Sequence, residues 1–295
     1  MNAKATSQVS LKLACEITAD RIIAGRSSEH GRGLETCAIR TLSPGTILPG
    51  LTAANVGNRA ALANAVSDAL AGVSGRQRDV VLIVPDAACR IALLDFDALP
   101  DKPHEADSVV RFRLKKSLPF EVESARVSYD VRRSDGMVRV VAAVALPSVL
   151  EEYESAIREA GFSPGVVIPS TLAALGLVDA SLPTLLVKVA QGTVSVAIVY
   201  HDLLLFRVIE LAGTDPVQLA DDIYPSLVFL QDTYDVRVER ILLSGTEHVQ
   251  ELASVLERNV GIRAEELVNL GTIGAVSIPS QQRSLLAGIA GALIA

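Results

Sequence analysis

The sequence has no apolar tract long enough to cross a bilayer. Its longest uncharged apolar stretch, Leu285 to Ala295, is about half of the ~20 residues that a spanning helix needs. Met1 to Leu13 carries Lys4 and Lys12 but lacks the continuous apolar stretch of a secretory signal, so the expected location is the cytoplasm. Cysteine is scarce. Cys15, Cys37 and Cys89 are odd in number, far apart and without a CxxC pair, which excludes a small disulfide scaffold and gives no sign of zinc or redox chemistry. They read as buried reduced thiols. Basic charge is in deficit too: 27 Lys and Arg against 34 Asp and Glu give a net charge of −7, the wrong sign for general binding to nucleic-acid phosphates. The local exception is Arg111, Arg113, Lys115 and Lys116, read as a solvated helix face that could also meet anionic lipid or an acidic partner.

Signatures of catalysis are missing as well. There is no GxSxG elbow, HExxH helix or Walker loop, and the histidines at 30, 104, 201 and 248 are too scattered for a metal or catalytic signature. Each reads as a surface or loop residue. The adjacent acids Glu151/Glu152 and Asp221/Asp222 diverge in direction on helices, so solvent exposure is their expected state.

What is present is a large stock of apolar residues in short runs. They make up 49% of the 295 residues, enough for a full core, and charges break them up in the manner of a buried α/β sheet. Val9 to Ile23, interrupted by Thr18, Ala19 and Asp20, predicts two strands joined by a tight turn. A Pro/Gly-bearing loop follows at Ser43 to Gly57. Leu62, Val66, Ala69 and Leu70 then fall at helical spacing before Gly72, and Val80 to Val84 is a β-branched run closed by Pro85. The pattern then changes. A helix over Ala106 to Ser117, stopped by Pro119, precedes strands at Val127 to Arg132 and Val138 to Ala145, a separate small α+β unit. Ser148 and Glu151 have capping-box spacing for a helix over Val149 to Ala160, which Gly161 can end in a left-handed conformation.

A second series of strands, Leu185 to Val189, Val194 to Tyr200 and Leu203 to Ile209, echoes the opening, with His201-Asp202 as a hairpin turn. Asp215 and Pro216 then start a helix carrying Leu219, Ile223, Leu227, Leu230 and Tyr234, with a kink expected at Pro225. Arg240 to Leu243 forms a buried strand, Ser244-Gly245-Thr246 a tight loop, and Val249 to Leu256 an amphipathic helix ending before Gly261. Two similar α/β halves and one insert are implied.

Several segments resemble one family. Arg113 to Asp130 (RLKKSLPFEVESARVSYD) looks like the helix, Pro-Phe and strand of the inserted subdomain of the type IV pilus assembly PilM family, itself similar to the division protein FtsA. Val144 to Ala174, with its EAGFSP segment, is similar to that family's next strand, helix and connection. Leu185 to Leu211 and Ile241 to Ile262 resemble its second phosphate hairpin and its adenosine-side loop and helix. The resemblance implies an actin-like (ribonuclease H-like) α/β fold of two halves. Residues 1–84, completed by about 161–180, form the first; 85–160 are an inserted α+β subdomain; 181–295 form the second. Ala212 to Glu239 holds little beyond one helix, so a second nucleotide-side insert is expected to be missing.

In such a fold the resemblance implies a nucleotide held between the halves by small-residue turns, with acids organising Mg²⁺ through water. The corresponding positions here are Glu16, Thr18 and Asp20 in the first loop, Lys188, Gln191, Gly192 and Thr193 in the second, and Gly245 and Thr246 in the third. Glu16-Ile17-Thr18 and Lys188-Val189-Ala190 stand where the family carries Asp-Ile-Gly, and the third loop lacks its second glycine. Asp20 sets a negative charge near the phosphates, and a Lys cannot organise magnesium. The expectation is therefore a scaffold with degenerate nucleotide loops and no hydrolysis, no catalytic or metal-ligating residues and no required cofactor, with residual ATP/Mg binding left open. The implied partner is the cytoplasmic tail of a PilN-like inner-membrane protein, which would make the chain peripheral to that membrane. Phe112, Leu118, Pro119 and Phe120 are candidates for its groove or, equally, core residues of the insert. The alternatives are a nucleotide-binding actin-like ATPase and the cytoplasmic domain of a GspL-like type II secretion protein, which would continue into a membrane helix.

Overall fold

The computed structural model describes residues 11–28, 33–134, 137–211, 215–274 and 276–294. Val9, His30 and the first residues of the Ala212 to Glu239 stretch lie outside them. The chain opens with an antiparallel meander, β1 (Leu13–Ile17), β2 (Arg21–Ser27) and β3 (Leu34–Thr41), followed by α1 (Arg59–Ala71) and β4 (Asp79–Val84). Strand β1 is buried at every position, because β2 and β4 flank it and both its faces are covered. Then comes a small unit of β5 (Arg90–Phe96), α2 (Pro103–Leu114), β6 (Arg126–Ser134) and β7 (Met137–Ala145). Its sheet runs β5-β7-β6 and closes over Val110, Leu114, Val140, Ala142 and Val144. The chain returns through α3 (Pro147–Glu159), β8 (Ser163–Pro169) and the short α4 (Ser170–Ala174).

The second half repeats the plan: β9 (Thr184–Ala190), β10 (Thr193–Tyr200), β11 (Asp202–Glu210), α5 (Pro216–Tyr234), β12 (Arg240–Ser244), α6 (Val249–Val260), β13 (Ala264–Glu266), α7 (Leu270–Ile273) and α8 (Ala287–Ile294). The sheet orders are β3-β2-β1-β4-β8 and β11-β10-β9-β12-β13, so β1 and β9 are equivalent centres. Among the described residues α5 is the only element between β11 and β12, as expected for a fold without the second insert.

Several local expectations need correction. The Ser148/Glu151 capping box does not form: Leu146 is the N-cap and Pro147 takes the first helical position, which carries Ser148 into the first turn. Glu151 instead accepts hydrogen bonds from Ser155 and Arg158. Its neighbour Glu152 is no solvated surface acid, because its carboxylate takes the backbone N–H groups of Asn55 and Val56 at 2.7 and 2.8 Å. Helix α3, counted with the insert from its sequence position, places Val149, Tyr153, Ala156 and Ile157 in the first-half core. Helix α2 begins at Pro103, and strands β3 and β5 had no counterpart in the sequence reading. Of the thiols only Cys15 is fully buried; Cys37 and Cys89 are partly so, and burial pushes the thiol of Cys89 up to about 12. The His201 turn and the Gly161 helix end do adopt left-handed φ values of 57° and 82°. Asp215 caps α5 by accepting the Val217 N–H at 2.9 Å, and Asp215→Ala should cost about 1 kcal/mol in chemical denaturation.

The apolar stretch Leu285 to Ala295 has an unexpected place. It supplies α8, which packs against α4, β1 and β2 of the first half although its sequence position had assigned it to the second. Ala287, Gly288, Ile289 and Ala290 are fully or almost fully buried there. The high apolar content of Ala287 to Gly291 reflects burial on all sides inside the protein.

Candidate functional site between the two halves

Two hairpins point into the gap between the halves. The first closes at Thr18, whose N–H bonds the Arg21 carbonyl at 2.9 Å, and the second at Ala190, which pairs with Thr193. Glu16 and Lys188 occupy the same position relative to those closing pairs, one on each central strand. They meet. Lys188 Nζ lies 3.0 Å from Glu16 Oε1, with side-chain exposures of 6% and 0%. Ser170, at the start of α4, donates a further hydrogen bond to the same carboxylate oxygen. The other oxygen, Oε2, is buried without a hydrogen-bond partner and lies against Gly288 of α8, where a Cβ would collide with it.

A second polar link lies beside the first. Asp86 follows β4 and accepts hydrogen bonds from Thr171 N at 2.9 Å, Thr171 Oγ1 at 2.6 Å and Ser195 Oγ at 2.7 Å. Ser195 is on β10, opposite Lys188, so this network also joins the halves. Burial pushes the Asp86 carboxyl above the usual carboxylate range, against these hydrogen bonds and the positive charge of Lys188. Sequence reading missed Asp86, Ser170, Thr171 and Ser195, which belong to none of the three loops. The Pro85-Asp86 step after a buried strand was the one available signal.

The nine residues singled out for the loops, Glu16, Thr18, Asp20, Lys188, Gln191, Gly192, Thr193, Gly245 and Thr246, all line one cavity of about 670 Å³. Gly192 and Gly245 have φ of 78° and 84°, and at Gly245 a Cβ would collide with the Val189 carbonyl oxygen. The third loop is held by Ser284, whose hydroxyl donates to Thr246 O and accepts from Thr246 N. The electrostatics are less suited to polyanions. Five carboxylates line the cavity (Glu16, Asp20, Asp86, Glu210 and Glu247), and its cations Arg21 and Lys188 are already paired. Asp20 stays ionised below its usual range, since the hydrogen bond and charge of Arg21 together with Thr18 outweigh partial burial. Phosphates would here depend on the backbone N–H groups of the turns, since both cations of the cavity are engaged within the chain. Among the described residues no group of three or more His, Cys, Asp or Glu side chains could hold a metal ion.

The candidate partner residues separate into two kinds. Phe112, 71% exposed, and Pro119 face solvent, whereas Leu118 and Phe120 pack partly buried against the core of the insert. The basic cluster is largely engaged within the chain. Arg111 bonds Asp107 at 2.8 Å and the Val122 carbonyl at 3.1 Å, Lys115 lies near Glu121 and Glu123, and Arg113 sits over the Phe96 ring. No helix of the described residues is long and apolar enough to cross a membrane.

No family model matches the sequence, and no curated protein matches it. Solved structures do. A chain of the PilM–PilN type IV pilus biogenesis complex superposes with a TM-score of 0.82 at 21% identity, over 97% of this chain and 98% of that one. The ethanolamine utilization protein EutJ from Carboxydothermus hydrogenoformans gives 0.55 at 10% identity, covering 96% and 89%. The cytoplasmic domain of EpsL, an inner-membrane component of the Vibrio cholerae type II secretion system, gives 0.52 at 11%, covering 91% and 85%. A Bacteroides thetaiotaomicron protein with an actin-like ATPase fold gives 0.52 at 10%, covering 98% of each chain. Two repeated halves, a cavity between their central hairpins and these superpositions together identify the fold: the chain is an actin-like α/β protein, similar along nearly its whole length to a chain of the PilM–PilN complex.

Proposed function

We propose that the chain is a cytoplasmic scaffold of type IV pilus assembly that holds the cytoplasmic tail of a PilN-like inner-membrane protein and does not hydrolyse nucleotide. The observation that carries this reading is the two-way coverage, 97% of this chain and 98% of the other, at a TM-score of 0.82. The likeness to the EpsL cytoplasmic domain, itself part of an inner-membrane machine, is weaker at 0.52. The absence of hydrolysis is supported by the cleft chemistry, where Lys188 is committed to Glu16 and Arg21 to Asp20. A tail laid in a groove needs an apolar surface and a few polar anchors but no catalytic group. Phe112 is the most exposed large apolar side chain described, so it is the first anchor to test.

Calorimetry with a synthetic tail peptide should show saturable binding that weakens about tenfold or more in Phe112→Ala, the effect of truncating an aromatic anchor. Because Phe112 is exposed, the variant should keep its melting temperature. Unchanged affinity in both Phe112→Ala and Phe120→Ala would remove the groove from this face. Saturable binding of ATP with Mg²⁺ at millimolar concentration would count against the scaffold reading and for the nucleotide-dependent alternative.

A further inference from the structure

We infer that the Lys188 ammonium is a built-in cation that stands in for a divalent metal at the centre of the cleft and keeps the two halves joined with no ligand bound. The first half brings two buried carboxylates to the gap, Glu16 and Asp86, exposed to 0% and 7%. Asp86 is served by three hydrogen-bond donors, whereas Glu16 has one hydroxyl and requires a counter-ion, since a carboxylate costs several kcal/mol to bury unpaired. The second half supplies one cation. Lys188 is itself 5% exposed, touches Glu16 at 3.0 Å and acts on Asp86 through its field. It lies on the central strand at the position equivalent to Glu16, so the fold repeat sets an acid and a base face to face. A metal placed where the ammonium sits would take the same Glu16 oxygen, and one placed beside it would be repelled by the ammonium charge. The hydroxyls of Thr171 and Ser195 serve Asp86, which the ammonium does not touch, and that of Ser170 shares Glu16 Oε1 with the ammonium.

The inference rests on the fold and these side chains, and it holds or fails independently of the pilus reading. The consequence is a cleft whose closure needs no nucleotide, and removal of the ammonium should convert the two carboxylates into a divalent-cation site. The test uses the full chain and Mn²⁺ alone as the probe, read by thermal unfolding and by the electron paramagnetic resonance of free Mn²⁺. The wild type should show no change in melting temperature up to millimolar Mn²⁺. Lys188→Gln and Lys188→Met should gain a melting temperature that climbs with the logarithm of Mn²⁺ concentration, as expected for a ligand bound to the native state only. Glu16→Gln added to Lys188→Gln should abolish the gain. Saturable, Glu16-dependent stabilisation of the wild type by Mn²⁺ would overturn the inference, and so would folded Lys188 variants that ignore the ion. If neither variant folds in chelator, recovery on refolding with Mn²⁺ supports the inference and failure to recover overturns it.

Discussion

Lys188→Met should lower the free energy of unfolding by about 3–5 kcal/mol, the largest loss expected from any single change in the cleft. The reason is the carboxylate left behind. Glu16 is fully buried, with Ser170 as its only other described polar partner and one oxygen already without any. Loss of the ammonium at 3.0 Å leaves that charge in a low-dielectric surrounding. Glu16→Gln alone should also destabilise, because Lys188 is then the unpaired ion. The double variant Glu16→Gln/Lys188→Met should recover much of the loss, since a buried ion pair replaced by neutral groups of similar size is often close to neutral in stability. Urea denaturation of the four proteins gives the coupling energy directly. If the loss in the double variant equals the sum of the two single losses, the two side chains are not coupled and the pair does not hold the halves together.

The second large effect concerns α8. Ile289 is completely buried in the cluster that also contains Ala14, Ile23, Ala173 and Leu286, and Ile289→Ala should cost about 2–5 kcal/mol through lost burial and the cavity left behind. Gly291 is a separate matter. A Cβ there would collide with the carbonyl oxygen of Ala173 in α4, and a backbone atom cannot move aside as a flexible side chain can. Gly291→Ala should therefore destabilise by about 1–3 kcal/mol even though Ala is the better helix former. A Gly291→Ala protein as stable as the wild type in the same denaturation experiment would show that α4 and α8 can separate without cost.

The two sets of predictions have a common basis. The halves are joined by α8, which leaves the second half's sequence to pack on the first, and by Glu16–Lys188 and Asp86–Ser195 across the cleft. The first join is apolar and insensitive to salt. The second is ionic but buried, so screening should weaken it less than it weakens an exposed pair such as Arg59–Glu159.

The sequence by itself determined the local elements and their repetition. Strands β1 and β2, the helices α1 and α6 and the second hairpin series follow from periodicity, from Asp215-Pro216 and from Gly161 and Gly261, because these signals act within a few residues of themselves. The three loops were legible only through the family resemblance, and their nine residues line one cavity. Only the tertiary structure decided which side chains meet. Nothing near Glu16 announces Lys188, and nothing near Asp86 announces Ser195, because a contact between distant strands leaves no periodic trace in either. Strand β5 and the capping of α3 were lost to local competition, a charged strand edge in one case and Pro147 at the first helical position in the other. The same holds for Leu285 to Ala295. Its composition said only that it must be kept from water. That it would be enclosed by the opposite half of the protein, with Gly288 and Gly291 giving Glu16 and Ala173 room to approach, depended on backbones brought together by the completed fold.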